Sequence, residues 1–280
     1  MYRVEKVLNH NAILALNDET QKSYLIMGKG IGFGKKTSER FEVRHDDILY
    51  SLEKTTERGN AMSIVKAVDP YCLEIAGHVL DKAEKVFGDG KVDRTIIFPM
   101  ADHIAFAVNR LKDGQLISNP LRDDIRVLFH SEYKVAEAAA PMIRDHFGVE
   151  LNSDEIGFLA LHVHSAIDQE NVAQSLQTAQ IVRNCISRIE DLTGTKMSVM
   201  SLGYNRMMNH IRYMIPRIQT GEPLKMDLND YMKVHYPDAY TIAEELCSEI
   251  GHTLHKNFQK AEIGYLAMHI QRVTGDEVNE

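Results

Sequence analysis

The chain has 280 residues, with 32 Lys and Arg against 40 Asp and Glu, so its formal net charge at pH 7 is −8. Its hydrophobic content of 44% excludes wholesale disorder, and no apolar run reaches the length of a membrane span or a signal-peptide core. The charge is uneven, because residues 1–44 carry eight basic and five acidic side chains, a net of +3 that leaves −11 for the remainder. A basic N-terminal segment, called the head below, therefore precedes an acidic body.

Short apolar runs separated by polar turns predict antiparallel strands in the first 35 residues. The runs lie at 4–8, 13–16 and 24–27, and the turns at 9–11 and 17–21. A glycine-rich segment follows at 28–36, with glycines at positions 28, 30, 32 and 34. A head of this size buries little surface by itself, so we predict that dimerisation helps it to fold.

Helical spacing of apolar residues dominates the chain from about residue 65 onward. Ile75, Val79, Ala83 and Val86, for example, predict one buried helix face. The polar residues 52–63 predict a linker or a weak helix start between the head and the body. Both halves of the body are therefore predicted to be all-α.

Three sequence blocks recur in the body at a constant offset of 107 residues, as from His103 to His210. They begin at 102, 133 and 155 and recur at 209, 240 and 262, without an insertion. The repeat predicts two similar helical domains, at 65–170 and 171–280, after a head domain at 1–55. It also preserves two histidines in each copy: His103 and His162, then His210 and His269.

These repeated histidines have several chemical interpretations. The simplest interpretation of any one of them is a packed side chain whose ring nitrogen has a hydrogen-bond partner. A metal site is disfavoured, because His162 and His164 lie two residues apart on a predicted helix and so point to opposed faces. Reversible phosphoryl transfer fits better, since a neutral imidazole is nucleophilic near pH 7 and an added phosphate changes the local charge.

Enzyme motifs give no support to a catalytic function. The sequence contains no G-x-S-x-G elbow, P-loop or H-E-x-x-H motif, so we predict no catalytic residue and no cofactor. The three cysteines, at positions 72, 185 and 247, are too scattered to predict a disulfide framework or a zinc knuckle. A reducing cytoplasm is the expected location.

The head carries residue types that suit RNA. Lys29, Lys35 and Lys36 flank Phe33 in the glycine-rich segment, where glycines admit close approach and an exposed aromatic ring stacks on an unpaired base. Asn11 offers both a donor and an acceptor to base edges. The alternative interpretation of Phe33 is a core residue of a small domain.

These motifs resemble the BglG/SacY family of transcriptional antiterminators over nearly the whole chain. Residues 6–13 and 27–36 resemble its co-antiterminator RNA-binding domain, and the repeated histidine blocks resemble its two PTS regulation domains, most like the glucose-specific branch. The resemblance implies a small antiparallel β domain followed by two all-α helical-bundle domains. It also implies a homodimer that binds a leader-mRNA hairpin, prevents the terminator from forming and is not an enzyme.

The resemblance extends to individual positions. The implied RNA-binding residues are Asn11, Gly28, Lys29 and Phe33, with Asn9 as a further candidate. The implied phosphorylation sites are His103 and His162, served by the sugar permease of the phosphotransferase system, and His210 and His269, served by the phosphocarrier protein HPr. The sign of the second input stays open, and no metal ligand is implied.

Two other classes of function remain as alternatives. A DNA-binding activator with the same regulatory domains requires a helix-turn-helix module, which the strand-like head does not offer. An enzyme or metalloprotein would use the histidines directly.

Overall fold

The computed structural model describes residues 1–53, 55–56, 59–168, 171–194, 196–198 and 201–275. The chain divides into two compact units. The first unit comprises Met1–Asn119 and Ser131–Val172, and the second comprises Pro120–His130 and Ala173–Glu280. Among the described residues, no helix is both long and apolar enough to cross a membrane.

The head is an antiparallel sheet with the strand order β4-β1-β2-β3-β5. Its strands are β1 (Tyr2–Asn9), β2 (Ala12–Asn17), β3 (Ser23–Met27), β4 (Arg40–Phe41) and β5 (Ile48–Ser51). The three predicted strands and their turns are confirmed, because apolar residues of β1 and β2 pair across the sheet, as in Val4 with Ala15 and Val7 with Ile13. One buried hydrophobic cluster of the head contains Val4, Ile13, Ala15, Ile26, Ile31 and Phe41.

A short ribbon follows the head where the sequence predicted a linker. Strands β6 (Thr55–Thr56) and β7 (Gly59–Asn60) pair antiparallel, and the first helix begins at Ala61. The linker prediction is therefore wrong for these residues, since β-branched threonines favour a strand, whereas the helix-start prediction is correct. The Asn60 side chain caps this helix by accepting the Met62 N–H at 2.9 Å. Residues 54, 57 and 58 of the predicted linker lie outside the described residues.

The rest of the described chain is mostly helical, as predicted. In chain order the helices are α1 (Ala61–Ala67), α2 (Pro70–Phe87), α3 (Ile97–Lys112), α4 (Arg122–Leu128), α5 (His130–Ala136), α6 (Ala139–Phe147), α7 (Ser153–Asp168), α8 (Val172–Thr193), α9 (Leu202–Thr220), α10 (Asn229–His235), α11 (Pro237–Leu254) and α12 (Ala261–Gly275). A 3-10 turn at Arg94–Ile96 precedes α3.

Helix α2 is central to the first unit, where it packs against α3, α6 and α7. Asp69 caps its N-terminus by accepting the Tyr71 N–H at 2.8 Å, and Pro70 occupies its first turn. Its predicted apolar face is confirmed at Ile75, Val79 and Ala83, which are fully buried. Val86 is 53% exposed, so the prediction of its burial is wrong, because the last turn of α2 reaches solvent.

The offset of 107 residues is also visible in the helix boundaries. Helix α4 corresponds to α10 at this spacing, and the stretch from the start of α5 to the end of α6 corresponds to the uninterrupted α11. The segment Pro120–His130, which contains α4, lies in the predicted domain 65–170 but belongs to the second unit. There Tyr204 Oη donates to Asp124 Oδ1 at 2.6 Å, and Arg212 Nη1 donates to the Leu128 carbonyl at 2.7 Å.

Candidate RNA-binding face and histidine pairs

The turn between β1 and β2 lies beside the glycine-rich segment of the head. Asn11 Oδ1 accepts the Gly30 N–H at 2.9 Å, and the Asn11 carbonyl accepts the Gly28 N–H at 3.0 Å. The Gly32 N–H donates to the His10 carbonyl at 2.9 Å. These bonds bring Asn11 and the predicted residues at 28–33 together, although they are distant in sequence.

Two glycines of this segment are required by close packing. A Cβ atom on Gly28 would overlap the Asp47 carboxylate, and one on Gly32 would overlap the Asn9 carbonyl. Asp47 is fixed in turn by Arg44, whose Nη2 donates to Asp47 Oδ1 at 2.7 Å. Burial raises the pKa of Asp47, but the hydrogen bonds from Arg44 outweigh this effect and hold it below its ordinary value. Gly28 therefore has a structural reason to be glycine, independent of RNA.

Phe33 projects from the head instead of entering its core. Its side chain is 75% exposed, and its ring meets the His10 ring edge-on with centroids 5.8 Å apart. Lys29 is also exposed, and its carbonyl accepts Arg44 Nη2 at 2.9 Å. The alternative interpretation of Phe33 as a core residue is wrong, and its ring is available for stacking.

In the first unit, the two repeated histidines meet between α3 and α7. The ring centroids of His103 and His162 are 5.3 Å apart, and both side chains are largely buried. Glu155 lies beside them, with Oε2 at 3.2 Å from His103 Nε2, and its Oε1 accepts Arg110 Nη2 at 2.8 Å. Burial raises the pKa of Glu155, but the contacts with His103 and Arg110 lower it below its ordinary value. An ionised carboxylate therefore links a histidine to an arginine.

The second unit has the same arrangement between α9 and α12, with one difference. The His210 and His269 rings are stacked with centroids 4.3 Å apart. Arg217 donates to both oxygens of Glu262, from Nε at 2.8 Å and from Nη2 at 2.9 Å. Because Arg217 uses both oxygens, Glu262 is a bidentate partner of the arginine, whereas Glu155 is shared with His103.

Sequence patterns alone assign no function to these carboxylates or arginines. Arg110 corresponds to Arg217 and Glu155 to Glu262 at the same offset of 107 residues that relates the histidines. Both pairs lie within the repeated sequence blocks, and this repetition is the signal that points to them. Each histidine pair therefore belongs to a repeated group with an arginine and a glutamate.

His164 lies on the side of α7 opposite to this site, as the helical spacing predicted. Its Nδ1 is 3.0 Å from Glu132 Oε1, and its Nε2 is 3.3 Å from Asp168 Oδ2. His162, two residues earlier, instead faces His103. Carboxylates on both ring nitrogens give His164 a structural role in the first unit.

The neutral state of His210 gives a pH dependence for the second unit. Burial, and to a smaller extent His269, lower the pKa of His210 to about 3. In the unfolded chain the His210 side chain takes up a proton near pH 6.5, whereas in the folded chain it stays neutral down to about pH 3. The free energy of unfolding of the second unit should therefore fall as the pH drops from about 6.5 toward 3. We expect wild type to lose about 2 kcal/mol more than His210→Gln between pH 7 and pH 5. Amide exchange in α9 measures this loss, and equal losses in the two proteins would contradict the assignment.

Comparison with known proteins gives matches along nearly the whole sequence. The CAT RNA binding domain model matches residues 2–59, and the PRD domain model matches residues 79–166 and 183–273. The chain is 29% identical to the GlcA/glcB genes antiterminator of Staphylococcus carnosus (strain TM300), over 98% of this chain and 96% of that protein. It is 33% identical to the PtsGHI operon antiterminator of Bacillus subtilis (strain 168), over 98% of this chain and 97% of that protein.

A solved structure is also similar, the crystal structure of GlcT CAT-PRDI. It is 31% identical, has a TM-score of 0.49, and the match covers 60% of this chain and 98% of that chain. The two family models place one CAT RNA binding domain before two PRD domains in this chain, and both relatives match it over nearly their whole length. The chain therefore belongs to the family of transcriptional antiterminators in which a CAT RNA-binding domain precedes two PRD domains.

Proposed function

We propose that this chain is a homodimeric antiterminator that binds a hairpin in the leader mRNA of a glucose phosphotransferase-system operon. Binding of the hairpin prevents the overlapping terminator from forming, so RNA polymerase continues into the operon. The nascent transcript places this activity in the cytoplasm. The names of the relatives, the GlcA/glcB genes antiterminator and the PtsGHI operon antiterminator, support an antiterminator rather than an enzyme.

The head supplies the chemistry for RNA recognition. Asn11 and Lys29 offer hydrogen-bond donors beside the exposed Phe33 ring, and the three residues lie on neighbouring loops of one sheet. An aromatic stack on an unpaired base next to polar side chains is a common mode of single-stranded RNA recognition. A DNA-binding activator is less well supported, because the head is an antiparallel sheet that matches an RNA-binding domain.

The juxtaposition of His103 with His162, Glu155 and Arg110 carries the proposal for regulation. A phosphoryl group adds a charge of about −1.5 to −2. On His103 it would face the ionised Glu155 at close range and compete with this carboxylate for Arg110. The resulting repulsion changes the contact between α3 and α7, so phosphorylation can shift the conformation of the first unit. The sugar permease would be the donor for this pair and HPr the donor for His210 and His269.

A transcriptional reporter placed behind the leader and its terminator tests this regulation in cells. We expect His103→Ala to give readthrough without sugar, close to the sugar-induced level of wild type, because no phosphate can form at position 103, where it would oppose Glu155. His78→Ala is the matched control, since His78 is an exposed histidine of the same unit and should retain sugar dependence. Wild-type repression of His103→Ala without sugar would remove His103 from the mechanism.

A further inference from the structure

One carboxylate of the first regulatory domain contacts the predicted RNA-binding face. Glu74, on α2, accepts the Asn9 side-chain amide on Oε1 at 2.5 Å and the Asn11 side-chain amide on Oε2 at 3.0 Å. All three residues are partly buried and belong to the first unit. A single acidic side chain therefore binds two neighbouring asparagines of the head.

The two asparagines are oriented so that their donors face Glu74. The Asn9 side-chain oxygen accepts the Asn11 N–H at 2.9 Å, and the Asn11 side-chain oxygen accepts the Gly30 N–H at 2.9 Å. Both acceptors are thus used to hold the loops of the head in place. The remaining NH₂ groups are the parts of these side chains that can reach an acceptor on RNA. Glu74 accepts one hydrogen bond from each of these groups.

Further contacts hold α2 and its neighbours against the head. Arg94, which precedes α3, donates from Nη2 to Tyr50 Oη at 3.0 Å and also pairs with Asp81 of α2 at 2.7 Å. Gly77, three residues after Glu74, lies under Met27 at the end of β3. The Glu74 contact is therefore part of a packed surface, and α2 also packs on α3, which carries His103.

We propose that Glu74 is an intramolecular competitor of RNA, so that the chain binds its leader hairpin only when Glu74 leaves Asn9 and Asn11. The carboxylate both uses the donors that the RNA needs and places a negative charge where phosphates approach. The proposal rests on the proposed function, because it takes Asn11 as an RNA contact. It adds a direct connection between the first regulatory domain and the head.

The expected size of the effect follows from a two-state equilibrium. If only the open state binds RNA, the apparent Kd equals the intrinsic Kd divided by the fraction of open molecules. Two hydrogen bonds to a carboxylate at a partly buried site favour the closed state by about tenfold or more. Their removal should therefore tighten RNA binding, up to the limit at which every molecule is open.

Titration of the full-length chain with a labelled leader hairpin tests the proposal. We expect Glu74→Ala to lower the Kd by about tenfold, and Glu74→Gln, which keeps one acceptor oxygen, by about threefold. Glu150→Gln makes the same change in net charge at an exposed position, near Arg144, and should leave the Kd unchanged. A hairpin with a scrambled loop is the control for general attraction between the protein and RNA.

The outcomes separate this proposal from the assignment of the RNA site. An unchanged Kd for Glu74→Ala would overturn the competition between Glu74 and RNA, and so would equal tightening on the leader and scrambled hairpins. Either result would do so even if Asn11→Ala loses binding. An unchanged Kd for Asn11→Ala would overturn the RNA contact itself and the competition with it. Loss of binding by Asn11→Ala, together with tightening by Glu74→Ala on the leader hairpin alone, supports both.

Discussion

Replacement of Glu155 by Ala should lower the free energy of unfolding of the first unit by about 3 kcal/mol. Removal of one member of a buried ion pair costs about 3 to 5 kcal/mol, because the other charge stays behind without compensation. The lower end applies here, since the Arg110 side chain is 27% exposed and can recover contact with water. Amide exchange in α3 and α7 measures the loss in this unit separately from the second unit.

Glu150 is a suitable control for this experiment because it is an exposed glutamate in the same unit, 3.9 Å from Arg144. Its replacement by Ala should change the free energy of unfolding by less than about 0.5 kcal/mol. A loss below about 1 kcal/mol for Glu155→Ala would show that Arg110 and His103 do not depend on this carboxylate. Glu155 would then be a poor candidate for positioning His103.

Replacement of Phe33 by Ala should weaken binding of the leader hairpin by about 5- to 150-fold and leave the stability of the head unchanged. Stacking of one base on an aromatic side chain contributes about 1 to 3 kcal/mol. The ring is 75% exposed, so its removal creates no cavity in the core. Titration with the hairpin and thermal unfolding of the same protein sample give the two values.

Phe41 is a buried aromatic residue of the head and serves as the control for this measurement. It is 8% exposed and packs in the core of the head, so Phe41→Ala should cost about 3 to 5 kcal/mol of stability. Undiminished hairpin binding by Phe33→Ala would remove the stacking contact from the proposal. A loss of stability comparable to that of Phe41→Ala would instead assign Phe33 a structural role.

The strands of the head could be predicted because their pairing is local. Successive apolar runs are separated by short polar turns, and neighbouring strands in sequence, such as β1 and β2 or β2 and β3, are neighbours in the sheet. The ribbon at Thr55–Thr56 and Gly59–Asn60 was missed because strands of two residues have no periodicity to detect. Val86 was misassigned because periodicity identifies a helix face but not how far the packing partner extends along it.

The histidine pairs could be predicted as chemistry but not as geometry. The repeat identified His103, His162, His210 and His269, yet spacing in sequence does not show that α3 meets α7 or that α9 meets α12. The partners Glu155 and Glu262 follow from that packing. Glu74 had no signal of its own in the sequence, because its contacts with Asn9 and Asn11 depend on how the head docks onto α2.

The placement of Pro120–His130 in the second unit has a consequence for synthesis of the protein on the ribosome. Helix α4 is made well before α9, the helix against which it packs, and its residues Ile125 and Leu128 are buried in the finished protein. The contacts between this segment and α9 therefore form only after α9 has been synthesised. An apolar segment whose packing partner is not yet synthesised favours association between nascent copies. The division of the chain into compact units therefore does not coincide with the junction between the sequence repeats.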